Sequence, residues 1–247
     1  MKTVRINKFF TEHGCCSRRA ADRLIEEGRV AINGHKAALG DQVADGDVVS
    51  VDGRVLDRSS TTVYLAYHKP VGVTCTTEPD VSGNIVEAVG YPQRIFPIGR
   101  LDKDSSGLIL LTNNGDIVNR ILRAEFGHER EYLVTLNRPY SPPFLNLLQQ
   151  GVLVMGKNTA PCRAIPVDPS SFRIILTEGR NRQIRRMCSV LGFRVVRLVR
   201  IRIMHIMLGK LPIGEWRQLS EQERDKLLVA VGLTQDDSRQ DKQSRTA

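Results

Sequence analysis

The sequence predicts an α+β protein in two parts. Residues 1–56 form a small mixed unit, and residues 63–233 form a larger domain on a mixed, mainly antiparallel sheet. Three observations carry this. Asn33-Gly34 and Asp52-Gly53 each follow a short apolar run, the strongest local signal for a two-residue hairpin. From Val63 onward short strand patterns alternate with a few helix patterns. Between the two parts lies LDRSSTT, polar and without periodicity, so residues 57–62 read as a linker.

The elements follow in order. Residues 7–13 suit a short helix that stops at Gly14. Ser17 suits the N-cap of a second helix that runs to about Glu27 and ends at Gly28, with Ala21, Leu24 and Ile25 inward. RVAI and DVVSV are short strands turning at the two hairpin dipeptides. VYLAYHKP reads as a strand ended by Pro70. DIVNRILRA reads as a helix with Ile117, Val118, Ile121 and Leu122 inward. REYLVTL alternates as a strand, FLNLLQQG is a helix closing at Gly151, and FRIILTEG is a strand. NRQIRRMCSVLG is a helix and FRVVRLVRIRI a strand. The polar tail, 234–247, is expected to be disordered. No internal repeat is present.

The 247 residues carry a formal charge of +9, and 41% are hydrophobic. A chain of this length buries a real core. The basic balance favours a polyanionic partner, with nucleic acid first among them. The five cysteines, Cys15, Cys16, Cys75, Cys162 and Cys188, are odd in number and form no CxxC pair or Cys/His cluster. This argues against a disulfide framework and a structural zinc, and fits a reducing compartment. Cys75 and Cys188 read as small buried apolar groups. The N-terminus lacks the apolar run of a signal peptide, and no apolar stretch approaches 18 residues. A cytoplasmic monomer with no membrane contact is expected.

The charge is concentrated. Residues 180–202 hold eight arginines, no lysine and no acid. Arginine offers a planar fork suited to phosphate and stacking. At 100° per residue, Arg182, Arg185 and Arg186 share one helix face, with Ile184, Met187, Cys188 and Leu191 on the other. In the following strand Arg200 and Arg202 fall on one side and Ile201 and Ile203 on the other. Together these suggest a guanidinium surface, against the plainer reading of a solvated basic face. A second basic group, Lys8, Arg18, Arg19, Arg29 and Lys36, lies in the N-terminal unit. Arg18 and Arg19 open the capped helix, where phosphate is favoured.

GRLDKDSSGLILLTNNG, residues 99–115, places Asp102, Asp104, Ser106 and Gly107 at positions 1, 3, 5 and 6 of a calcium loop. Position 12 is Asn113 where a bidentate Glu is needed, and the intervening positions are mostly apolar, so calcium is excluded. Asp102 alone reads first as a turn cap, although a lone carboxylate can also act as a nucleophile or a base. The five histidines are scattered and support no triad.

Residues 4–54, with RINKFFTEHGCCSRRAADRLIEEGRVAINGHKA, resemble an S4 domain, a small RNA-binding module. Residues 63–229 resemble the catalytic domain of the RsuA-type ribosomal RNA pseudouridine synthases. The matching motifs are YHKPVGV, IFPIGRLDKDSSGLILLTNNGD, EREYLVTL and LTEGRNRQIRRMCSVLGFRVVRLVRIRI. The wording lies nearest a subgroup acting on 23S rRNA, although that subgroup carries a longer basic tail. The resemblance implies isomerisation of a flipped-out uridine to pseudouridine, with no metal and no organic cofactor. It places the essential carboxylate on Asp102, the paired cation on Arg185 and the base-stacking aromatic on Tyr132. It places substrate contacts on Arg100 and Leu198, with Arg182 and Arg186 beside them. Each has a plainer rival: core for Tyr132 and Leu198, a phosphate contact for Arg185, a surface ion pair for Arg100. The expected partner is a 23S rRNA stem-loop. A 16S or transfer RNA substrate, or a non-catalytic ribosome-assembly factor, stands as the alternative.

Overall fold

Ser17, Gly28 and the two hairpin dipeptides shape the N-terminal unit of the computed structural model, which describes residues 3–56 and 61–233. Residues 57–60 of the expected linker and the expected disordered tail lie outside the described residues. The unit runs β1 (Thr3–Arg5), α1 (Ile6–Glu12), α2 (Arg18–Glu26), β2 (Val30–Ile32), β3 (His35–Lys36), β4 (Gln42–Ala44), β5 (Val49–Val51) and β6 (Arg54–Val55). Ser17 Oγ accepts from Ala20 N at 3.2 Å and caps α2. Asn33-Gly34 and Asp52-Gly53 all take positive φ, as a type I′ turn demands. The strands order β3-β2-β5-β6, and β1 pairs with β4 apart from them. Ile6, Phe9, Phe10, Ala21, Ile25, Val30, Val43 and Val49 form a core of their own. Burying a side chain such as Phe10 contributes about 1.5–3 kcal/mol.

The larger part continues β7 (Tyr64–Lys69), α3 (Ile85–Val89), β8 (Phe96–Pro97), β9 (Ser106–Thr112), α4 (Asp116–Leu122), β10 (Arg130–Leu136), α5 (Pro142–Gln150), β11 (Leu153–Val154), β12 (Lys157–Asn158), β13 (Arg163–Asp168), β14 (Ser171–Leu176), α6 (Gln183–Val190), β15 (Val195–Ile203), β16 (Ile206–Met207), β17 (Trp216–Gln218) and α7 (Glu221–Ala230). One sheet orders β13-β14-β10-β15-β9-β7-β17, with β16 on β15 and β8 on β9. Its pairings are antiparallel except β15 with β9. The fold class is therefore the expected mixed, mainly antiparallel sheet.

The sheet is covered on both faces. Leu65, Tyr67, Ile109 and Leu111 pack with Ile85 and Val89 of α3. Next to them Val134, Phe172 and Ile174 pack with Phe144 of α5 and Met187 of α6. On the other face Tyr64, Ala66, Leu108 and Leu110 pack with Ile117 of α4 and Leu227 of α7. Because β9 is covered twice, its LILL run is apolar without alternation. Leu122, expected inward, is exposed, because α4 ends there; Ile117 and Ile121 are buried against the sheet and Val118 packs beside them partly buried. Helix α6 starts at Gln183 rather than at Asn181, since Arg182 takes a left-handed φ of 51° as its N-cap.

Among the described residues an ion pair joins the parts. Lys8 of α1 reaches Asp116 at the start of α4 at 2.7 Å, and it also pairs with Glu12. Arg94 lies close enough to Cys15 and Cys16 for its charge to be felt there.

Candidate active site

Gly99 takes a φ of 80° and turns the chain into a loop that carries Asp102 and leads into β9. The loop is held from several sides. Gly72 N donates to Lys103 O at 2.8 Å, and Ser105 N donates to Asp102 O at 3.0 Å. Leu101 N donates to Cys75 Sγ at 3.4 Å. From beneath, the fully buried Lys69 donates its Nζ to Pro70 O at 2.7 Å and Ser105 O at 2.9 Å. From the side, Arg185 donates to Asp104 O at 2.8 Å and Ser105 Oγ at 3.1 Å. Burial pushes the Lys69 ammonium below its usual range, against the pull of Asp104 and Asp102.

The Asp102 side chain is 32% exposed, and among the described residues no hydrogen bond reaches its carboxylate. The nearest cation is Arg182, whose Nη1 lies 3.8 Å from it, too far for a hydrogen bond. Asp104 is held instead. Arg182 grips it in a fork, Nη1 to Oδ1 at 3.0 Å and Nη2 to Oδ2 at 2.8 Å, and Arg185 Nε stands 3.4 Å away. Arg182 beside Asp104 keeps that carboxyl below the ordinary range of an aspartate. The expected Arg185–Asp102 pair is thus not formed here. Arg185, 13% exposed, spends its donors on the loop backbone, on Ser105 and on Val195 O.

The guanidinium surface needs correction. Acids outside the segment neutralise much of it. Arg180 pairs with Glu178, Arg182 with Asp104, and Arg202 with Glu131 and Glu129. Arg186 turns away to Asn181 Oδ1 at 2.8 Å and to Met155 Sδ. Arg200 does not share the face of Arg202. The β10–β15 register shifts between Glu131 and Tyr132, so Arg202 stands opposite Glu131 and Arg200 opposite Tyr132, with Ile201 as the extra residue. Such a bulge reverses the alternation and re-aims a side chain. Arg200 is only 3% exposed.

Tyr132 sits where two core clusters meet, one containing Leu101 and the other Leu198, and it keeps partial exposure. Asp102, next after Leu101, and Tyr132 are thereby brought to one side of the sheet. Leu198 is buried on Tyr132's face, opposite Val134. Arg100 is exposed on the loop. In the N-terminal unit Arg18, Arg19 and Lys36 are exposed, whereas Arg29 pairs with Asp52 and Glu27, and Lys8 with Asp116 and Glu12. Cys75 and Cys188 are buried as expected, and burial pushes the Cys188 thiol up to about 12. His13, His68 and His205 each bond a backbone carbonyl.

Lys69 went unread in the sequence. Its signal is parity: in a strand with Leu65 and Tyr67 inward, position 69 also points inward. Among the described residues no helix is long and apolar enough to cross a membrane, and no group of three or more His, Cys, Asp or Glu is placed to hold a metal.

Known proteins resemble the chain along most of its length. Residues 63–190 match the family model described as RNA pseudouridylate synthase, and residues 4–49 match the S4 domain. The chain is 51% identical over 223 residues to the dual-specificity RNA pseudouridine synthase RluF of Salmonella typhi, covering 90% of this chain and 77% of that one. It is 34% identical over 232 residues to the ribosomal large subunit pseudouridine synthase B of Bacillus subtilis strain 168, covering 90% and 95%. A solved structure of a pseudouridylate synthase superposes with a TM-score of 0.67 at 31% identity, over 91% of this chain and 99% of that one.

Proposed function

We propose, from the premise that this chain belongs to the RNA pseudouridylate synthase family and carries an S4 domain, that it converts a uridine of 23S ribosomal RNA to pseudouridine. Membership makes it an isomerase acting on RNA. The choice of 23S rRNA draws support from the Bacillus relative, named for the large ribosomal subunit. The Salmonella relative is named for dual specificity, which brings a second structured RNA, a transfer RNA anticodon stem-loop or 16S rRNA, into the same proposal. In this reading residues 1–56 grip structured RNA and residues 63–233 carry the chemistry.

The single observation that carries the reading is the state of Asp102. Its carboxylate is open, without a hydrogen bond among the described residues, on a loop pinned at Leu101, Lys103, Asp104 and Ser105. A carboxylate used only as a turn cap would accept a backbone N–H. The reaction breaks the bond from N1 to C1′, turns the base and joins C5 to C1′. The C5 proton leaves and N1 gains one, so the atoms balance without a co-substrate. Tyr132 offers its ring to the uracil, Arg185 and Arg182 flank the opened strand, and Arg186 joins them once it releases Asn181. Arg100 stands two residues before Asp102, exposed to hold displaced RNA, and Leu198 backs the pocket. Flipping the base costs a few kcal/mol, least where it is unpaired, so a loop uridine is the favoured target.

Asp102→Asn keeps the shape and removes the charge. It is expected to bind a 23S transcript as wild type does and to lose turnover by roughly ten-thousand-fold, as charge-to-amide changes do in catalytic triads. Nucleoside analysis of the digested transcript reads the result. Turnover above about a thousandth of wild type assigns the step to another group. Modification of 16S or transfer RNA alone removes the 23S assignment and leaves the chemistry.

A further inference from the structure

Arg200 occupies an unusual place for a guanidinium. It is sealed in the sheet, directly opposite Tyr132 on β10 and bridged in parallel to Gly107 on β9. Its Nε donates to Leu108 O at 2.6 Å, and its guanidinium carbon lies 6.0 Å from the centre of the Tyr132 ring. Its Nη2 is buried with no hydrogen-bond partner. Arg130 on the adjacent β10 and Lys69 on β7, two strands away, are also buried, and each bonds backbone carbonyl oxygen rather than a carboxylate. A buried charge with a missing acceptor is costly, and an apolar residue of similar length fills such a slot at lower cost.

Three features of the strands serve this placement. The bulge at Ile201 turns Arg200 towards Tyr132 instead of leaving it beside Arg202. Gly107 lets β9 approach so closely that a Cβ there would stand 2.3 Å from Arg200 O. Leu108, which receives the Nε bond, lies three residues after Ser105, where Lys69 and Arg185 hold the Asp102 loop. Arg200 therefore links the ring of Tyr132 on one strand to the strand that leaves the Asp102 loop. The attraction of a cation to the ring face is the remaining use for its unpaired edge.

We infer that Arg200 is a positioning residue for the isomerisation. It fixes the plane of Tyr132 relative to Asp102, so that a uracil stacked on the ring meets the carboxylate at a set height. The inference rests on the reading of Tyr132 as the base-stacking side chain. Arg200 itself does not reach the substrate.

The test is a double-mutant cycle on the full chain, with a transcript that the wild type modifies. Single-turnover rates at saturating RNA, dissociation constants and melting curves are measured for Arg200→Met, Arg200→Lys, Tyr132→Leu and the two doubles. Arg200→Met is expected to lower the rate by about tenfold with affinity within about threefold, the scale of one desolvated cation–π contact. Arg200→Lys is expected to recover part of that rate, since it keeps the cation and loses the plane. In the Tyr132→Leu background either change is expected to cost no more than about twofold further, because coupled residues are not additive. Additive losses, or an unchanged rate in Arg200→Met, overturn the inference. An unchanged rate in Tyr132→Leu overturns instead the reading of Tyr132 on which it rests. Should Arg200→Met lack a cooperative melt, Arg200→Lys takes its place in the cycle, and additive losses or an unchanged rate there overturn the inference equally.

Discussion

Asp104→Asn separates two roles that the loop places side by side. In the folded chain the Asp104 carboxylate occupies the fork of Arg182 and stands 3.4 Å from Arg185 Nε. The two side chains of the fork are 42% and 46% exposed, so the clasp contributes about 0.2–1 kcal/mol. Its loss is expected to lower the melting temperature by less than about 4 °C in a chain of this size. An RNA phosphate that takes Arg182 must displace the same carboxylate. Removing the charge is therefore expected to tighten RNA binding by about 1.4- to 5-fold at low salt, the same energy with opposite sign. Each further phosphate neutralised steepens log affinity against log salt by about 0.7–0.9. The assay is filter binding over a series of salt concentrations, with single-turnover rates in parallel. The rate is expected to stay within about threefold of wild type, far from the loss in Asp102→Asn. Weaker binding with an unchanged slope refutes the reasoning, since Asp104 then orients the arginines rather than withholding them. The pH dependence has a definite sign. Arg182 lowers the folded-state pKa of Asp104 below 3.8, so the stability it adds is present above 3.8 and is lost as pH falls through the lower folded value.

Glu223→Gln keeps an acceptor for the capping box of α7 but removes the charge that grips Arg217 at 2.6 and 2.7 Å, so it should destabilise α7 by about 0.2–1 kcal/mol in urea denaturation. Arg217 holds the Glu223 carboxyl below 4.5, so the difference from wild type should persist above pH 4.5 and close as pH falls through the folded value. Gly107→Ala should cost about 1–3 kcal/mol by overpacking against the Arg200 backbone, read by the same denaturation. A neutral Gly107→Ala would show that β9 and β15 can separate without penalty.

What the sequence disclosed, and what it hid, follows the range of the interactions. Ser17, Gly28, Asn33-Gly34 and Asp52-Gly53 act on their own neighbours, and the elements they mark formed where expected. The Ser220…Glu223 spacing is as local a signal, and α7, which it marks, went unread in the sequence. The pairing of Arg182 with Asp104 spans 78 positions, and no periodicity within 180–202 could reveal which arginines acids would claim. The burial of Arg200 was hidden for another reason. Counting by twos along VVRLVRIRI is sound for a regular strand, and one extra residue at Ile201 reverses it. Asp102 stood out only through its motif, since its open carboxylate is a product of contacts made by Lys69, Cys75 and Arg185 from three other segments.

The place of β15 in the sheet sets an order of assembly. It is the longest strand, late in the chain, and it lies between β9 and β10. Before it arrives, β7, β8 and β9 can close as one meander, and β10, β13 and β14 as another. The first half carries the Asp102 loop and the second carries Tyr132. Joining them needs a parallel pairing across about ninety residues, the kind of distant closure that comes late in folding. A nascent chain therefore displays its carboxylate and its aromatic on separate, unconnected ribbons until residues 195–203 have left the ribosome. On the proposed roles of Asp102 and Tyr132, the chain is expected to be inactive through most of its own synthesis, beside the very class of RNA it is proposed to modify.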